Sequence, residues 1–320
     1  MRSTLFAAFI AASTLLGYAG PARSQYPVRP IRLVVPFAAG SVSDLVARAI
    51  VPPMSEALGQ QVVIDNRPGV AGNLGAEFAA KSPPDGYTLF MGNVSHTISV
   101  SLYERLGYDF LKDFAPITQI AAGSFMLAVH PSLPVQSVKA LIALAKSRPE
   151  ELNVGVGGAG IIAAVELFKS TAGIRMTNVS YKGTPQIVTA LATGEISVGF
   201  PPTSAAVPQV KAERLRGLAV TGGQRSPMAP DIATIAEAGL PGYEATTWYC
   251  LMAPAGTPHE IVARLNADAV GALQRPEVRN RFAATDITLT PSSPDQLATF
   301  LRREVAKWTK VVKASGMRPN

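Results

Sequence analysis

From Tyr26 onward the chain alternates short β-branched apolar runs with stripes of apolar residues at helical spacing. Residues 32–35 form an apolar run that Pro36 breaks, residues 37–43 are mostly small, and Leu45, Val46, Ala49 and Ile50 then recur in helical phase behind Asp44. The pattern predicts strand, loop and helix. It repeats with a strand at 62–64, the turn-rich NRPGVAG, a helix over 74–81, a turn forced by Pro83, Pro84, Asp85 and Gly86, and a strand at 87–91 ending in a polar loop at 92–96.

The alternation resumes with a strand at 125–129 and a helix carrying Val138, Leu141, Ile142 and Ala145 on one face. Further strands are expected at 152–156, 178–181, 196–200 and 215–220, with helices at 161–172 and 186–193. Residues 226–249 read as a Pro- and Gly-punctuated connection, and two long stripes, 260–273 and 295–314, as helices closing a domain. Such alternation predicts an α/β protein of two domains with mostly parallel sheets. Ligands then belong at the carboxyl ends of strands, where 37–43 and 92–96 fall.

The N-terminus adds a compartment. Arg2, an apolar run over 5–16 and small residues before an Ala22-x-Ser24 pattern make a secretory signal over 1–24, with cleavage expected after Ser24. No later stretch reaches about 18 uninterrupted apolar residues, so an exported, soluble chain is expected. Cys250 is the only cysteine, which excludes an intramolecular disulfide, and 48% hydrophobic against 16% charged residues supports large interiors. The net charge of +7, falling to +5 without Arg2 and Arg23, is scattered, so nucleic-acid binding gains no support.

Several chemistries can be weighed. The loop 37–43 presents backbone N–H groups at a helix N-terminus, a setting that favours an anion such as a carboxylate; an ordinary turn with Ser43 or Asp44 as N-cap is the alternative. Gly155, Gly157 and Gly160 match the spacing of a dinucleotide fingerprint, but no acidic residue stands between Glu166 and Glu195 to hold a ribose. A hydrolase of small esters or amides would rest on Ser95 and His96, yet no G-x-S-x-G elbow is present. His96, His130 and His259 are isolated, which gives no metal-ligand spacing; neither metal nor cofactor is expected.

Nearly the whole chain after the leader also resembles the Bug family of periplasmic binding proteins, the substrate-binding components of tripartite tricarboxylate transporters. The stretches carrying the resemblance are YPVRPIRLVVPFAAG with Asp44, VVIDNRPGVAGNLGAEFAAKSPPDGYTL, HPSLPVQSVKALIALAK, YKGTPQ, GLAVTGGQRSPMAPDIATIAEAGLPGYE and WYCLMAPAGTP. It implies a type II periplasmic binding protein, or Venus flytrap, with strands crossing between domains: residues 25–122 in domain 1, 123–242 in domain 2, and 243–320 returning to domain 1. It also implies a small carboxylate held largely by main-chain amides. Carried over by position, the candidates are Phe37, Ala38, Ala39, Gly40 and Ser41, with Asp44 chiefly as helix cap, then Asn93, Ser95 and His96. Facing them come Gly157, Gly158, Ala159, Lys182, Gly183, Thr184, Phe200 and Pro201.

Three departures stand out. Ser41 replaces a usual glycine and gains a hydroxyl, residues 155–162 lack the Ser/Thr and His of many relatives, and GEISVGF lacks the acidic residue that the family usually carries in that strand. The expectation is a monomeric periplasmic binder that catalyses no reaction. It would deliver its ligand to separate membrane permease subunits, or present it to a membrane sensor kinase.

Overall fold

The computed structural model describes residues 26–283 and 285–315. The leader and cleavage point expected from the sequence lie outside the described residues. Strand β1 (Ile31–Val35) buries Ile31, Leu33, Val34 and Val35 completely, and loop 36–41 leads into α1 (Val42–Leu58). Then come β2 (Val62–Asn66), a single 3-10 turn at Val70–Gly72, α2 (Asn73–Ala80), β3 (Thr88–Asn93) and α3 (Val94–Leu102). The long strand β4 (Phe114–Ser124) runs almost directly into β5 (Met126–Val129).

A second series follows: α4 (Val138–Ser147), β6 (Asn153–Val156), α5 (Ala159–Ala172), β7 (Thr177–Ser180), α6 (Thr184–Thr193), β8 (Val198–Gly199), α7 (Thr203–Lys211) and β9 (Arg216–Val220). The chain then returns through β10 (Thr246–Pro254), α8 (His259–Gln274), α9 (Pro276–Ala283), β11 (Ile287–Leu289) and α10 (Pro294–Ser315).

The strands form two sheets, ordered β11-β4-β10-β3-β1-β2 and β7-β6-β8-β5-β9, each the centre of a lobe. The chain passes from the first lobe to the second between Ser124 and Met126 and back between Val220 and Thr246. The expected parallel pairing holds only for part of each sheet. β1 runs parallel to β2 and β3, and β6 to β7 and β8, where helices make the crossovers; β10, β4, β11, β5 and β9 pair antiparallel. The sheets are therefore mixed, because strands that arrive from or leave for the other lobe have no crossover helix to set a parallel direction.

β10 begins inside the connection expected at 226–249, and β4, α3, α7, α9 and β11 are elements that the sequence pattern does not predict. The connection between β9 and β10 is itself packed: Tyr243 is buried, donates its hydroxyl to Ala164 O at 2.9 Å and meets Phe168 edge-on. Helix α10 packs against both α3 and α5, so it touches both lobes. No described helix is long and apolar enough to cross a membrane.

Candidate functional site

In the first lobe the loop after β1 is held by a compact hydrogen-bond set. Ser41 is the N-cap of α1, its Oγ accepting from Asp44 N at 3.3 Å, while Ser41 N closes a turn onto Ala38 O at 3.1 Å. Asp44 is thus not the cap expected from sequence but lies in the first turn, fully buried. Its Oδ2 accepts from Gly40 N at 2.9 Å and Arg48 Nε at 2.8 Å, and its Oδ1 from Asn66 Nδ2 at 3.0 Å. Burial opposes ionisation of this carboxyl, but the hydrogen bonds from Arg48, Gly40 and Asn66 outweigh it and hold the pKa below its usual value. The carboxylate is therefore a clamp on the loop, with its oxygens already engaged.

What the clamp leaves open is backbone. The N–H groups of Ala38, Ala39, Val42 and Ser43 meet no acceptor among the described residues. Gly40 has φ +81° and a Cβ there would meet nothing within 4 Å, so the position demands glycine by conformation and faces open space. The Ser41 hydroxyl, expected as a group gained for the ligand, has its acceptor side committed to the cap.

Residues 92–96 are the end of β3 and the first turn of α3 rather than a loop. A capping box explains the difference: Asn93 Oδ1 accepts from Ser95 N at 3.0 Å, and His96 Nδ1 accepts from Asn93 N at 3.1 Å. Asn93 Nδ2 reaches Ser43 Oγ at 3.3 Å, which ties this helix to the α1 loop. His96 is completely buried among Phe90, Phe110 and Phe37, with ring centroids 5.0, 5.7 and 6.4 Å away. Burial pushes its pKa down to about 4, against the opposing pull of the Asn93 and Gly72 carbonyls, so the ring is neutral. Of the structural and ligand-lining roles expected for His96, its burial matches the structural one: the ring supports the loop from behind, and no hydrogen bond joins it to Ser95 among the described residues.

In the second lobe Gly158, Gly183 and Pro202 occupy the N-cap positions of α5, α6 and α7, and none supplies a side-chain cap. β6, β7 and β8 are parallel neighbours, so these three helix N-termini open along one sheet edge. Gly157, Ala159, Lys182 and Thr184 lie beside them, with Lys182 N held by Gln186 Oε1 at 2.9 Å. A Cβ on Gly157 would sit 2.9 Å from Tyr181 O, which accounts for glycine there. Two expected residues are displaced from this edge: the Phe200 side chain is buried against Phe168, centroids 5.6 Å apart, and Pro201 is buried with its carbonyl accepting from Met126 N at 2.9 Å. A Cβ on Gly160 would lie 3.9 Å from Val94 Cγ1, so the start of α5 meets the start of α3 where the lobes join.

The sequence reading missed Asn66 and Arg48, which organise the α1 loop, and the carboxylate that gathers the lobe junction. Asp286 Oδ2 accepts from Ser124 N at 2.8 Å and its Oδ1 from Ser226 Oγ at 2.7 Å, while Ser124 Oγ meets Thr203 Oγ1 at 2.9 Å. Burial raises the pKa of Asp286 against these hydrogen bonds. Polar residues scattered over more than 150 positions of sequence carry no local signal of such a cluster.

A two-lobed α/β chain with backbone-rich helix N-termini at the strand ends of both lobes has the architecture of a solute-binding protein. A sequence profile described as the tripartite tricarboxylate transporter family receptor matches residues 46–317, and the chain belongs to that family. It is a family of substrate-binding proteins, not enzymes, and its members are periplasmic binding proteins. Protein BugT of Bordetella pertussis is 34% identical over 305 residues, covering 94% of each chain. Among solved structures, Rpa4515 of R. palustris with adipate is 39% identical with a TM-score of 0.76, covering 92% of this chain and 100% of its own. MatC from Rhodopseudomonas palustris with bound malate is 33% identical with a TM-score of 0.73, covering 90% and 100%.

Proposed function

We propose that this protein captures a small organic carboxylate between its lobes in the periplasm and delivers it to the permease subunits of a tripartite tricarboxylate transporter. The observation that carries the reading is the set of unoccupied backbone donors: Ala38, Ala39, Val42 and Ser43 in one lobe, and three uncapped helix N-termini in the other. Amides at helix ends hold an anion without a cationic side chain. One carboxylate group rests on the loop at Phe37, Ala38, Ala39, Gly40 and Ser41; the rest of the ligand meets Gly157, Gly158, Ala159, Lys182, Gly183 and Thr184. The adipate and malate bound by the two relatives support this ligand class.

Titration calorimetry with adipate, malate and the neutral diamide of adipate tests the reading. The acids bind and the diamide does not; equal binding of diamide and acid, or binding of neither acid, overturns it. Uptake of the bound acid by cells with and without the adjoining permease genes then separates transport from presentation to a sensor kinase.

A further inference from the structure

Between β2 and α2 the backbone passes through four consecutive residues with positive φ: Gly69 at +133°, Val70 at +48°, Ala71 at +54° and Gly72 at +95°. The two glycines adopt these values freely, but a β-branched residue in the left-handed region is a true outlier. Strain of this kind persists only where its surroundings enforce it, and it concentrates where a chain binds or switches.

The surroundings are visible. Gly72 N donates to Gly69 O at 2.9 Å, closing the turn. A Cβ on Gly72 would stand 3.0 Å from His96 Nε2 and 3.2 Å from Phe37 Cζ, so the turn is pressed onto the ring that opens the α1 loop and onto the histidine behind it. His96 Nδ1 lies 3.1 Å from both the N and the O of Asn93, so that nitrogen is engaged in either tautomer, while the buried Nε2 beside Gly72 has no hydrogen-bond partner among the described residues. Beyond the turn, Asn73 anchors the chain through Nδ2 to Ser99 Oγ at 3.1 Å and through Oδ1 to Tyr108 Oη at 2.7 Å.

None of this needs valine at position 70. Its side chain is 52% exposed, so its methyl groups add little to the core, and glycine would remove the strain. Its place, however, is specific: β2 pairs in parallel with β1, Val35 opposite Asn66, and Asn66 donates to Phe37 O at 3.0 Å, so the turn opens on the same sheet edge as the α1 loop.

We propose that Val70 is a specificity-determining residue of the ligand site, contacting the methylene portion of the carboxylate while His96 and Phe37 hold its turn in the strained form. The proposal rests on the carboxylate reading above. It assigns the ligand class an aliphatic stretch and adds to the first lobe a side-chain wall beside the backbone donors of the α1 loop.

Calorimetry with succinate, adipate and suberate, alongside thermal melting, tests it on the wild type and on Val70→Gly. The variant melts at the same or a higher temperature yet binds adipate about ten-fold more weakly, the loss of two buried methyl groups, and the deficit grows with the number of methylenes. Val70→Asn, a residue that tolerates the left-handed region, repeats the loss and serves should the glycine variant not fold. Variants that match wild-type affinity within two-fold, or that lose affinity only in step with melting temperature, overturn the proposal. A wild type that binds malate but none of the three linear diacids overturns this proposal alone; one that binds no carboxylate overturns the function with it.

Discussion

Glu304 and Trp248, 56 residues apart in sequence, are joined at the lobe junction by a buried hydrogen bond from Trp248 Nε1 to Glu304 Oε2 at 2.8 Å. The same oxygen accepts from Trp308 Nε1 at 3.0 Å, while Oε1 pairs with Lys307 Nζ. One carboxylate therefore satisfies both tryptophans of the chain and fixes α10 to β10. Replacing it with an apolar side chain orphans two buried indole N–H groups. Glu304→Leu destabilises by about 3–4 kcal/mol in urea unfolding and shifts tryptophan emission to the red; a loss below about 1 kcal/mol would mean the indoles find other partners.

The His96 ring sets a pH dependence with a defined sign. Folded, it titrates near 4; unfolded, near 6.5, so between these values the unfolded chain binds the extra proton and stability falls as pH is lowered. Between pH 7 and pH 5 this removes about 2 kcal/mol, seen as a drop in the urea midpoint, and His96→Gln abolishes that part of the slope. An unchanged slope in the variant would place the dependence elsewhere.

Asp44 acts in the opposite sense. Its lowered pKa contributes stability that is complete above its ordinary value of 3.8 and is lost as pH falls through the folded value beneath it. Asp44→Asn costs about 1–2 kcal/mol at neutral pH, and the gap between variant and wild type closes in acid. Parallel curves across that range would show that the carboxylate is not the clamp.

Gly40→Val separates binding from folding. The side chain has room but must adopt φ +81°, at about 1–2 kcal/mol, and it projects where an anion would rest. Affinity for the best acid falls at least a hundred-fold while the melting transition survives; unchanged calorimetric affinity would remove this loop from the site.

Asp286→Ala loosens the junction by freeing Ser124 N–H and Ser226 O–H, at about 2–3 kcal/mol. Small-angle scattering then shows a larger ligand-free particle and a greater compaction with saturating adipate. Identical profiles for variant and wild type would mean that other contacts set the angle between lobes.

The strand–loop–helix units around 32–50, 62–80 and 153–193 were legible because their apolar periodicity is local. β4 and β10 were not: they pair with each other from residues 114–124 to 246–254, and Pro116 and the glycines around them imitate a connection. The site divided along the same line. Glycines and small residues near Gly40 and Gly158 announced themselves, whereas the burial of His96 and Phe200 is decided by aromatic partners from elsewhere, and Asp44 lost the cap to Ser41 because a serine three residues earlier completed the geometry.

The antiparallel ladder of β4 with β10 and β11, against which α10 packs, also sets how the first lobe is closed. Both partners of β4 lie more than a hundred residues after it, beyond every strand of the second sheet, so the first sheet is completed by segments that follow the whole of the second. These late pairings close long loops, and contacts of such sequence separation form slowly.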